Sequence, residues 1–348
     1  MKRIKLDYGK VIGGYKIVKC IGSGGYGDIY YALRVTDQLP VALKTESTTA
    51  LKQGLQAEIE VTHELSESPY VPRIYETGRD QNYLYIAMEL LGPSLAHISI
   101  VLHGLKLGTV LKLAISMLDA VESLHEMGYI HNDIKPENFL LKPPDKVKII
   151  DFGFNKKYVD EKGEILPRLE VIGHFGGTVS YASPNLLKKR DTGRRDDMYS
   201  WFYSIYVLLY NSFPWSQEKK ASKVRRLKKK FGKTEDYEKM PICLKNIYQH
   251  ILSLHFPDRP DYKYCRDELE KQFEIDKIDK NAPLDWTSLD KETVKSFSAF
   301  PLDGMSEPFK EEELVNIPKV IEQQEKAQKK KELDRNRREQ QSAVCILI

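Results

Sequence analysis

The sequence predicts an α+β fold in which a small, β-rich lobe precedes a larger, mainly helical lobe. Polar and apolar residues alternate over 15–21, and a glycine cluster then leads into a second apolar segment at 28–33, which is the pattern of two strands joined by a loop. After Gly92 and Pro93 the pattern changes, and apolar residues recur at helical spacing over 110–121. Strands are therefore expected before most of the helices.

Further elements follow in each lobe. The first lobe has a short strand at 41–44, a stretch of helical composition at 51–65 and a buried strand at 83–88. In the second lobe, residues 197–210 are apolar on nearly all sides, which predicts a helix enclosed in the interior. We expect the boundary near residue 91 to act as a hinge, with a cleft between the lobes.

The chain of 348 residues is longer than one compact domain usually is, so we expect two hydrophobic cores or one domain with appendages. The predicted parts are an N-terminal extension (1–13), the first lobe (14–90), the second lobe (91–295) and a charged tail (296–348). Glu, Gln, Lys and Arg dominate 311–341, which is typical of a solvated helix or a disordered segment.

Composition and cysteine usage favour a water-soluble protein in a reducing compartment. Hydrophobic residues make up 41% of the chain and charged residues 30%. No apolar run reaches the roughly 18 residues of a transmembrane helix, and the first residues lack the apolar segment of a secretory signal. The cysteines show neither pair spacing nor metal-ligand spacing. We therefore expect a cytoplasmic location, with entry into the nucleus left open.

A glycine-rich segment lies between the first two predicted strands. From Gly22 to Gly27 it reads G-S-G-G-Y-G, which fits the pattern G-x-G-x-x-G. Glycines here let backbone N–H groups approach phosphate oxygens without obstruction by side chains. By itself, the pattern fits a glycine-rich hairpin turn equally well. A strand rather than a helix follows the loop, which disfavours a dinucleotide-binding fold.

Lys44 and Glu58 form a second candidate constellation. Lys44 ends a Val-Ala-Leu-Lys strand whose other side chains are apolar, and an interior lysine is costly unless it is paired. Glu58 lies on the following predicted helix and is the natural partner. Each alone is typical of a surface charge, but their order after the glycine segment favours an ion pair that directs Lys44 toward the α- and β-phosphates of ATP.

The strongest signal is the phrase HNDIKPEN together with the DFG that follows it. Phosphoryl transfer requires a carboxylate near the attacking hydroxyl, a cation on the moving phosphate and metal ligands. Asp133 supplies the carboxylate and Lys135 the cation. Asn138 and Asp151 supply the oxygen ligands that Mg²⁺ prefers. The sequence therefore predicts an enzyme that uses ATP and Mg²⁺.

The complete set of motifs resembles the signature of eukaryotic protein kinases. Several stretches resemble the casein kinase I group in particular, which includes the tau-tubulin kinases. These stretches are MELLGPSL (88–95), KPENFL (135–140), GTVSYASPN (177–185), RRDDM (194–198), PDRPDY (257–262) and LDW (284–286). The resemblance covers about residues 12–290 and implies a bilobal protein kinase fold, with Mg-ATP and proteins as substrates.

The resemblance also implies roles for individual residues. Met88 would be the gatekeeper, and Glu89 to Leu91 would bind adenine through backbone groups. Thr178 would steady the catalytic loop, and Asp197 would anchor the buried helix to that loop. The residues expected around the nucleotide are Ile21, Gly22, Ser23, Gly24, Gly25, Tyr26, Gly27, Ile29, Ala42, Lys44, Met88, Glu89 and Leu91. We expect a monomer.

Two positions depart from the family pattern. Asn132 stands where related kinases usually have an Arg that binds a phosphate on the activation loop, so activity is expected without such a phosphate. Ser180 stands where members of the group carry an Arg for acidic or phosphorylated substrates. Basic residues at 188–190, 194 and 219–230 would compensate for the missing Arg and preserve a preference for acidic sequences. A solvated face is the alternative, and the scarcity of aromatic residues there argues against nucleic acid.

The sequence ends in Cys345-Ile346-Leu347-Ile348, which fits the C-a-a-X pattern of prenylated proteins. Lys and Arg residues precede it, and a basic segment supplies the second attraction that one prenyl chain needs to hold a protein at an anionic membrane. We therefore expect lipidation of Cys345 and a peripheral location on a cytosolic membrane face. An accidental hydrophobic terminus is the alternative.

Other functions fit parts of the sequence. A pseudokinase would use the same fold for binding alone, but Lys44, Asp133 and Asp151 are all present. A small-molecule kinase is disfavoured because 177–185 resembles the segment of kinases that act on proteins. Tyrosine specificity is disfavoured because Lys135 follows the catalytic Asp as it does in Ser/Thr kinases.

Overall fold

The computed structural model describes residues 5–24, 27–50, 53–142, 146–170 and 176–287. All of these residues belong to one compact unit of the chain. They include most of the two predicted lobes, whereas the predicted charged tail with Cys345 lies outside the described residues. Within the described ranges, no helix is both long enough and apolar enough to cross a membrane.

Among the described residues, the first lobe is a six-stranded antiparallel sheet with one helix packed against it. The strands are β1 (Val11–Ile12), β2 (Tyr15–Ser23), β3 (Asp28–Arg34), β4 (Pro40–Ser47), β5 (Ile74–Asp80) and β6 (Tyr83–Glu89). Across the sheet they follow the order β1-β2-β3-β4-β6-β5. Helix α1 (Leu55–Glu64) connects β4 to β5 and contacts β5 and β6.

Apolar contacts hold α1 on the sheet. Leu55 and Ile59 are one helical turn apart, so both lie on the same face of α1. They form a buried cluster with Ile86 of β6. This packing holds α1 against the sheet, so polar residues of α1 can reach β4 from that side only.

Strand β1 lies in the segment that the sequence assigned to an N-terminal extension. Ile12 pairs with Tyr15 across a turn at Gly13 and Gly14, both of which have positive φ. Ile12 has no exposed surface, because it packs in the cluster that covers one face of the sheet. The first lobe therefore begins before residue 14.

The second lobe is mainly helical. Its helices in the described ranges are α2 (Leu95–Val101), α3 (Leu107–Glu126), α4 (Arg194–Tyr210), α5 (Ala221–Lys230), α6 (Glu235–Glu238), α7 (Ile242–Ser253) and α8 (Tyr262–Ile275). Short strands precede α4, namely β7 (Tyr129–Ile130), β8 (Phe139–Lys142), β9 (Lys146–Ile149) and β10 (Lys156–Lys157). Strand β7 pairs with β10, and β8 pairs with β9.

Helix α4 occupies the centre of this lobe. Every residue from Asp196 to Tyr206 is buried, as the apolar composition of 197–210 predicted. Helices α3 and α7 pack against α4. The Trp201 Nε1 donates a hydrogen bond of 3.1 Å to the carbonyl oxygen of Ala114 in α3. A central helix of this kind can hold loops on several sides at fixed positions.

The predicted fold class is confirmed, since a β-rich lobe with one helix is followed by a helical lobe. The strands predicted at 15–21, 28–33, 41–44 and 83–88 correspond to β2, β3, β4 and β6. Strands β5, β7 and β10 and helices α2 and α5 to α8 had no individual prediction.

Candidate active site

Lys44 and Glu58 form a buried ion pair between β4 and α1. The Lys44 Nζ donates to both carboxylate oxygens of Glu58 at 2.5 Å. Burial raises the pKa of Glu58, and this effect outweighs the opposing effect of the Lys44 charge. Lys44 Nζ also lies 3.9 Å from Oδ1 of Asp151. The ion pair predicted from the sequence is therefore present, and it borders the DFG segment.

The register of the sheet aligns Lys44 with the glycine-rich segment. Ile29 of β3 pairs with Lys44, and Gly22 of β2 pairs with Ile29. Directly paired residues share a face of a sheet, so these positions form a row across adjacent strands. Ile21 precedes the row in β2 and is half-buried. Gly25 and Tyr26 lie outside the described residues.

Gly27 is required by close packing. A Cβ atom on this residue would lie 2.3 Å from the carbonyl oxygen of Thr45, which is closer than two such atoms can approach. The loop is also closed by hydrogen bonds, since the Gly24 N–H donates to Gly27 O (2.8 Å) and the Ser23 hydroxyl donates to Asp28 Oδ1 (2.7 Å). The backbone of the segment is thereby kept close to β4.

The predicted adenine-binding residues lie where the sheet joins the second lobe. Met88 pairs with Ala42, and Ile86 pairs with Lys44. Residues two apart on a strand share a face, so Met88 and Ala42 lie on the same face as Lys44. Leu91, just after β6, is buried. The structure thus brings these predicted residues to one face and to its edge.

The side chain of Glu89 contacts two lysines of the second lobe. Its carboxylate accepts hydrogen bonds from Nζ of Lys148 (2.7 Å) and forms an ion pair with Nζ of Lys142 (2.8 Å). Both lysines lie on the β8–β9 hairpin, and the Gly92 N–H also donates to Leu141 O of β8 (2.8 Å). The end of β6, where the sequence predicts a hinge, is therefore fixed to that hairpin.

Asp133, Lys135 and Thr178 form a triangle of polar contacts. The Lys135 Nζ donates to Asp133 Oδ2 (2.5 Å) and to Thr178 Oγ1 (3.0 Å). The Thr178 hydroxyl donates in turn to Asp133 Oδ1 (2.8 Å). Both oxygens of the buried Asp133 carboxylate are therefore held in place, and the predicted contact of Thr178 with the catalytic loop is present.

Asn138 and Asp151 flank the β8–β9 hairpin. The Ile150 N–H donates to Asn138 O (3.0 Å), which brings the two ends of the hairpin together. The Asn138 Nδ2 donates to Asp133 O (2.9 Å), so its amide oxygen is the atom left for a cation. Within the described residues, no cluster of three or more His, Cys, Asp or Glu could hold a metal alone. Mg²⁺ commonly binds few protein oxygens together with substrate phosphates, so this donor set fits Mg²⁺ bound with ATP.

Comparison with known proteins agrees with this geometry. Residues 15–270 match the protein kinase domain. The chain belongs to the protein kinase family. A probable serine/threonine-protein kinase of Dictyostelium discoideum is 33% identical over 293 residues, which cover 82% of this chain and 59% of that relative. The kinase thus matches less than two thirds of the length of that relative. Protein kinase domains use ATP and a divalent cation, generally Mg²⁺.

In this kinase, Asp197 of α4 holds the backbone of the catalytic loop. Its Oδ2 accepts a hydrogen bond from the His131 N–H (2.6 Å), and its Oδ1 accepts one from the Asn132 N–H (2.9 Å). The predicted anchor is therefore confirmed. Asp197 is buried, so water does not compete for these bonds.

Sequence reasoning did not indicate two residues that extend this anchor. The Nε2 of His125 lies 3.1 Å from Asp197 Oδ2, and its Nδ1 lies 2.6 Å from the Tyr262 hydroxyl. A carboxylate only accepts hydrogen bonds, so in the neutral His125 ring Nε2 carries the proton and Nδ1 accepts from the Tyr262 hydroxyl. His125 then donates from Nε2 to the carboxylate. No local pattern links residues 137 positions apart.

A second buried carboxylate holds the segment after Thr178. Asp196 Oδ1 accepts hydrogen bonds from the Ser183 hydroxyl (2.5 Å) and from Asn185 Nδ2 (3.1 Å). Its Oδ2 accepts from the Gly193 N–H (2.9 Å). Burial raises the pKa of Asp196, and these donors oppose that effect. The stretch GTVSYASPN includes Ser183 and Asn185, but it did not indicate Asp196 as their partner.

Proposed function

We propose that the chain is a protein serine/threonine kinase that transfers the γ-phosphoryl group of Mg-ATP to Ser and Thr hydroxyls of proteins. The triangle of Asp133, Lys135 and Thr178 carries this proposal, because it places a fixed carboxylate beside a cation. Asn138, one of the two proposed metal ligands, contacts the triangle through a hydrogen bond from its Nδ2 to Asp133 O (2.9 Å). The relative with its printed kinase name supports the same activity.

Each group has a separate task in this proposal. Asp133 accepts the hydrogen bond of the substrate hydroxyl and receives its proton as transfer proceeds. The Lys135 ammonium stabilises the charge of the transferred group. Lys44, oriented by Glu58, binds the α- and β-phosphates, and the face shared by Met88 receives the adenine. Mg²⁺, when bound by its two proposed ligands, neutralises charge on the phosphate oxygens.

The test compares the wild type with Asp133→Asn, using Mg-ATP and casein as substrate. Asparagine keeps the size of the side chain and removes its basic carboxylate, so kcat should fall by about a thousandfold. Binding of Mg-ATP, measured by calorimetry, should change less than about twofold, since Asp133 is not a proposed nucleotide ligand. Equal phosphate incorporation by both proteins would remove the catalytic claim and favour a pseudokinase.

We further propose that activity does not require phosphorylation of the activation segment, which runs from the DFG to Gly177. Asn132 has no charge to pair with a phosphate, and its Nδ2 donates instead to Phe154 O (3.0 Å). The segment is tied by unmodified groups, since Asp191 accepts hydrogen bonds from Lys156 Nζ (2.5 Å) and from the Leu169 N–H (2.9 Å).

Phosphatase treatment tests this independence. Mass spectrometry first verifies that no phosphate remains. The kcat should then stay within about twofold of the untreated enzyme, because the contacts of Asp191 that hold the segment involve no phosphate. A tenfold loss that is restored by renewed autophosphorylation would contradict the proposal.

We also propose a preference for acidic substrates. The pKa of Lys188 is lowered by the neighbouring charge of Arg190, then by partial desolvation, and then by Arg225 and Lys229 of α5. Arg190, Arg225 and Lys229 therefore lie close enough to Lys188 to repel its charge, and these four residues are here called the basic patch. An anionic peptide would relieve that repulsion. Ser180 adds no charge to the patch.

A pair of peptides with the same acceptor serine tests this preference. One peptide carries Asp and Glu around the serine and the other carries Asn and Gln. The acidic peptide should have the lower KM, and the double change Arg225→Gln with Lys229→Gln should remove the difference. Equal KM values for both peptides with the wild type would contradict the proposal, since the patch would then be a solvated face.

We assign the chain to the casein kinase I group as a proposal. It is supported by the motifs given above and by the contacts of Ser183 and Asn185 with Asp196. The monomeric state and the boundaries of the second lobe and tail remain predictions. Prenylation of Cys345 and a membrane location also remain predictions, because Cys345 and the basic tail lie outside the described residues.

A further inference from the structure

Lys228 is a lysine without access to solvent. It lies on α5 one turn after Val224, and these two side chains form the buried face of an otherwise basic helix. The Lys228 Nζ donates to three main-chain carbonyl oxygens. They belong to Val179 (3.2 Å), Ser180 (2.8 Å) and Ala182 (2.7 Å). Three carbonyls of one short segment therefore converge on a single ammonium group.

Aromatic rings complete the surroundings of this group. The Nζ lies 4.3 Å from the centroid of the Tyr203 ring and 5.0 Å from that of Trp215. Within the part of the chain that the structure describes, no carboxylate forms an ion pair with Lys228. Burial lowers the pKa of Lys228 well below its ordinary value. The carbonyl dipoles and ring faces are the groups that stabilise its charged form.

The carbonyls belong to a tight turn. The N–H groups of Tyr181 and Ala182 both donate to Thr178 O, at 3.0 and 2.9 Å. Trp215 Nε1 supplies a further donor to Ser180 O (3.0 Å). The turn is therefore closed by its own N–H groups and tied to the lobe interior through its carbonyls. An apolar residue would avoid the cost of burying a cation, but it could not make these ties.

The turn begins at a residue that contacts the proposed catalytic groups. The Thr178 hydroxyl donates to Asp133 and accepts from Lys135. A substrate hydroxyl that reaches Asp133 must therefore come close to residues 178–182.

We propose that Lys228 is a positioning residue that fixes the 178–182 turn as the surface on which a protein substrate lies beside Asp133. This inference rests on the proposed kinase function and adds a residue to its substrate site. Lys228 acts only through the turn and does not touch the substrate.

Two matched substitutions test the inference. Lys228→Met removes the ammonium group and keeps an unbranched side chain of similar length. Lys233→Met makes the same change at an exposed lysine shortly after α5. For each folded protein, KM for a protein substrate and KM for ATP are measured separately. Amide hydrogen exchange of Tyr181 and Ala182 is measured without substrate.

Lys228→Met should raise KM for the protein substrate about tenfold, the scale expected from losing hydrogen bonds to a charged group. KM for ATP should stay within about twofold, because the turn lies outside the proposed nucleotide site. Exchange at Tyr181 and Ala182 should accelerate about tenfold as the turn opens. Lys233→Met should match the wild type in all three measurements.

Unchanged exchange and unchanged KM for the protein substrate in Lys228→Met would overturn the inference. A parallel rise in both KM values would overturn it as well, because a general loss of structure would explain that result. If Lys228→Met does not fold, Trp215→Phe decides instead, since it removes one donor to Ser180 O and keeps a ring. In Trp215→Phe, amide exchange at Tyr181 and Ala182 should accelerate by about threefold. Exchange at the wild-type rate would show that contacts to the turn carbonyls do not hold the turn.

The exchange measurement does not depend on activity. A wild type that phosphorylates no protein would refute the proposed function, whereas exchange at Tyr181 and Ala182 would still show whether Lys228 fixes the turn. Failure of the inference and failure of the proposed function are therefore distinguishable.

Discussion

Replacing Lys44 with methionine separates two consequences of the buried ion pair, one for stability and one for nucleotide binding. Methionine keeps much of the length of lysine and removes its charge. The Glu58 carboxylate then loses the donor that contacts both of its oxygens at 2.5 Å. A buried carboxylate without a partner must either stay charged at high cost or take up a proton.

The size of the effect follows from burial. Removal of one partner from a buried ion pair typically costs about 3–5 kcal/mol. We expect Lys44→Met to lower the free energy of unfolding by about 3 kcal/mol, at the low end of that range. Burial already raises the pKa of Glu58, so the unpaired carboxylate can take up a proton and lose part of its cost. For a domain of more than 250 residues, 1 kcal/mol lowers Tm by about 2 °C, so the single variant should melt about 6 °C below the wild type.

A double variant supplies the control. Lys44→Met with Glu58→Leu replaces the ion pair by apolar groups, and such replacements are often neutral or stabilising. Its Tm should return to within about 3 °C of the wild type, whereas Mg-ATP affinity should remain at least about tenfold weaker in both variants. Thermal unfolding and calorimetric titration provide the two readings. A Lys44→Met variant with the Tm of the wild type would refute the claim that Glu58 without its partner destabilises the fold.

The loss of stability in Lys44→Met should depend on pH. In Lys44→Met the pKa of Glu58 in the folded state is above its unfolded value, because burial raises it and no lysine opposes it. Stability from proton uptake is then fully present below the unfolded pKa and is lost as pH rises through the folded pKa. The Tm deficit should therefore be smaller near pH 5 than near pH 8. A larger deficit at the lower pH would contradict this explanation.

Further predictions concern the loops and the metal. Asp197→Asn offers one acceptor oxygen where the His131 and Asn132 N–H groups each need one, so it should cost about 2 kcal/mol and lower kcat, as unfolding and steady-state assays will show. Gly27→Ala would bring a Cβ within 2.3 Å of Thr45 O, and displacement of the loop should raise KM for ATP at least about fivefold. Chelation by EDTA should abolish transfer and leave the Tm of the nucleotide-free protein unchanged within about 1 °C, because the metal binds together with the nucleotide.

The sequence predicts a site residue when its chemistry is unusual in its local setting. Asp133, Lys135 and Asn138 lie within one short phrase, so their spacing alone indicates a shared task. Lys44 is conspicuous because it follows apolar residues of a strand, and Glu58 is the first of three acidic residues on the helix that comes next. The predicted contacts are present. Lys135 and Asn138 contact Asp133 within the same short phrase, and Lys44 contacts Glu58 on the next element of the chain.

Roles that depend on distant packing could not be predicted. Lys228 lies in a run of basic residues that is typical of a solvated face, yet it contacts carbonyls 46 to 49 positions earlier. Its spacing of four from Val224 was the only local sign of a buried face. Strand β1 was missed for a related reason, since two residues give no periodicity and its burial depends on the turn at Gly13 and Gly14.

The adjacent carboxylates of α4 have a consequence for the redesign of substrate specificity. Asp196 holds the segment of Ser183 and Asn185, while Asp197 holds the loop that carries Asp133. Consecutive Cα atoms are about 3.8 Å apart, so the catalytic loop and the Ser183–Asn185 segment are attached at adjacent positions of one helix. A substrate segment transplanted from another kinase would keep its alignment with the catalytic carboxylate only if its partner for Asp196 came with it.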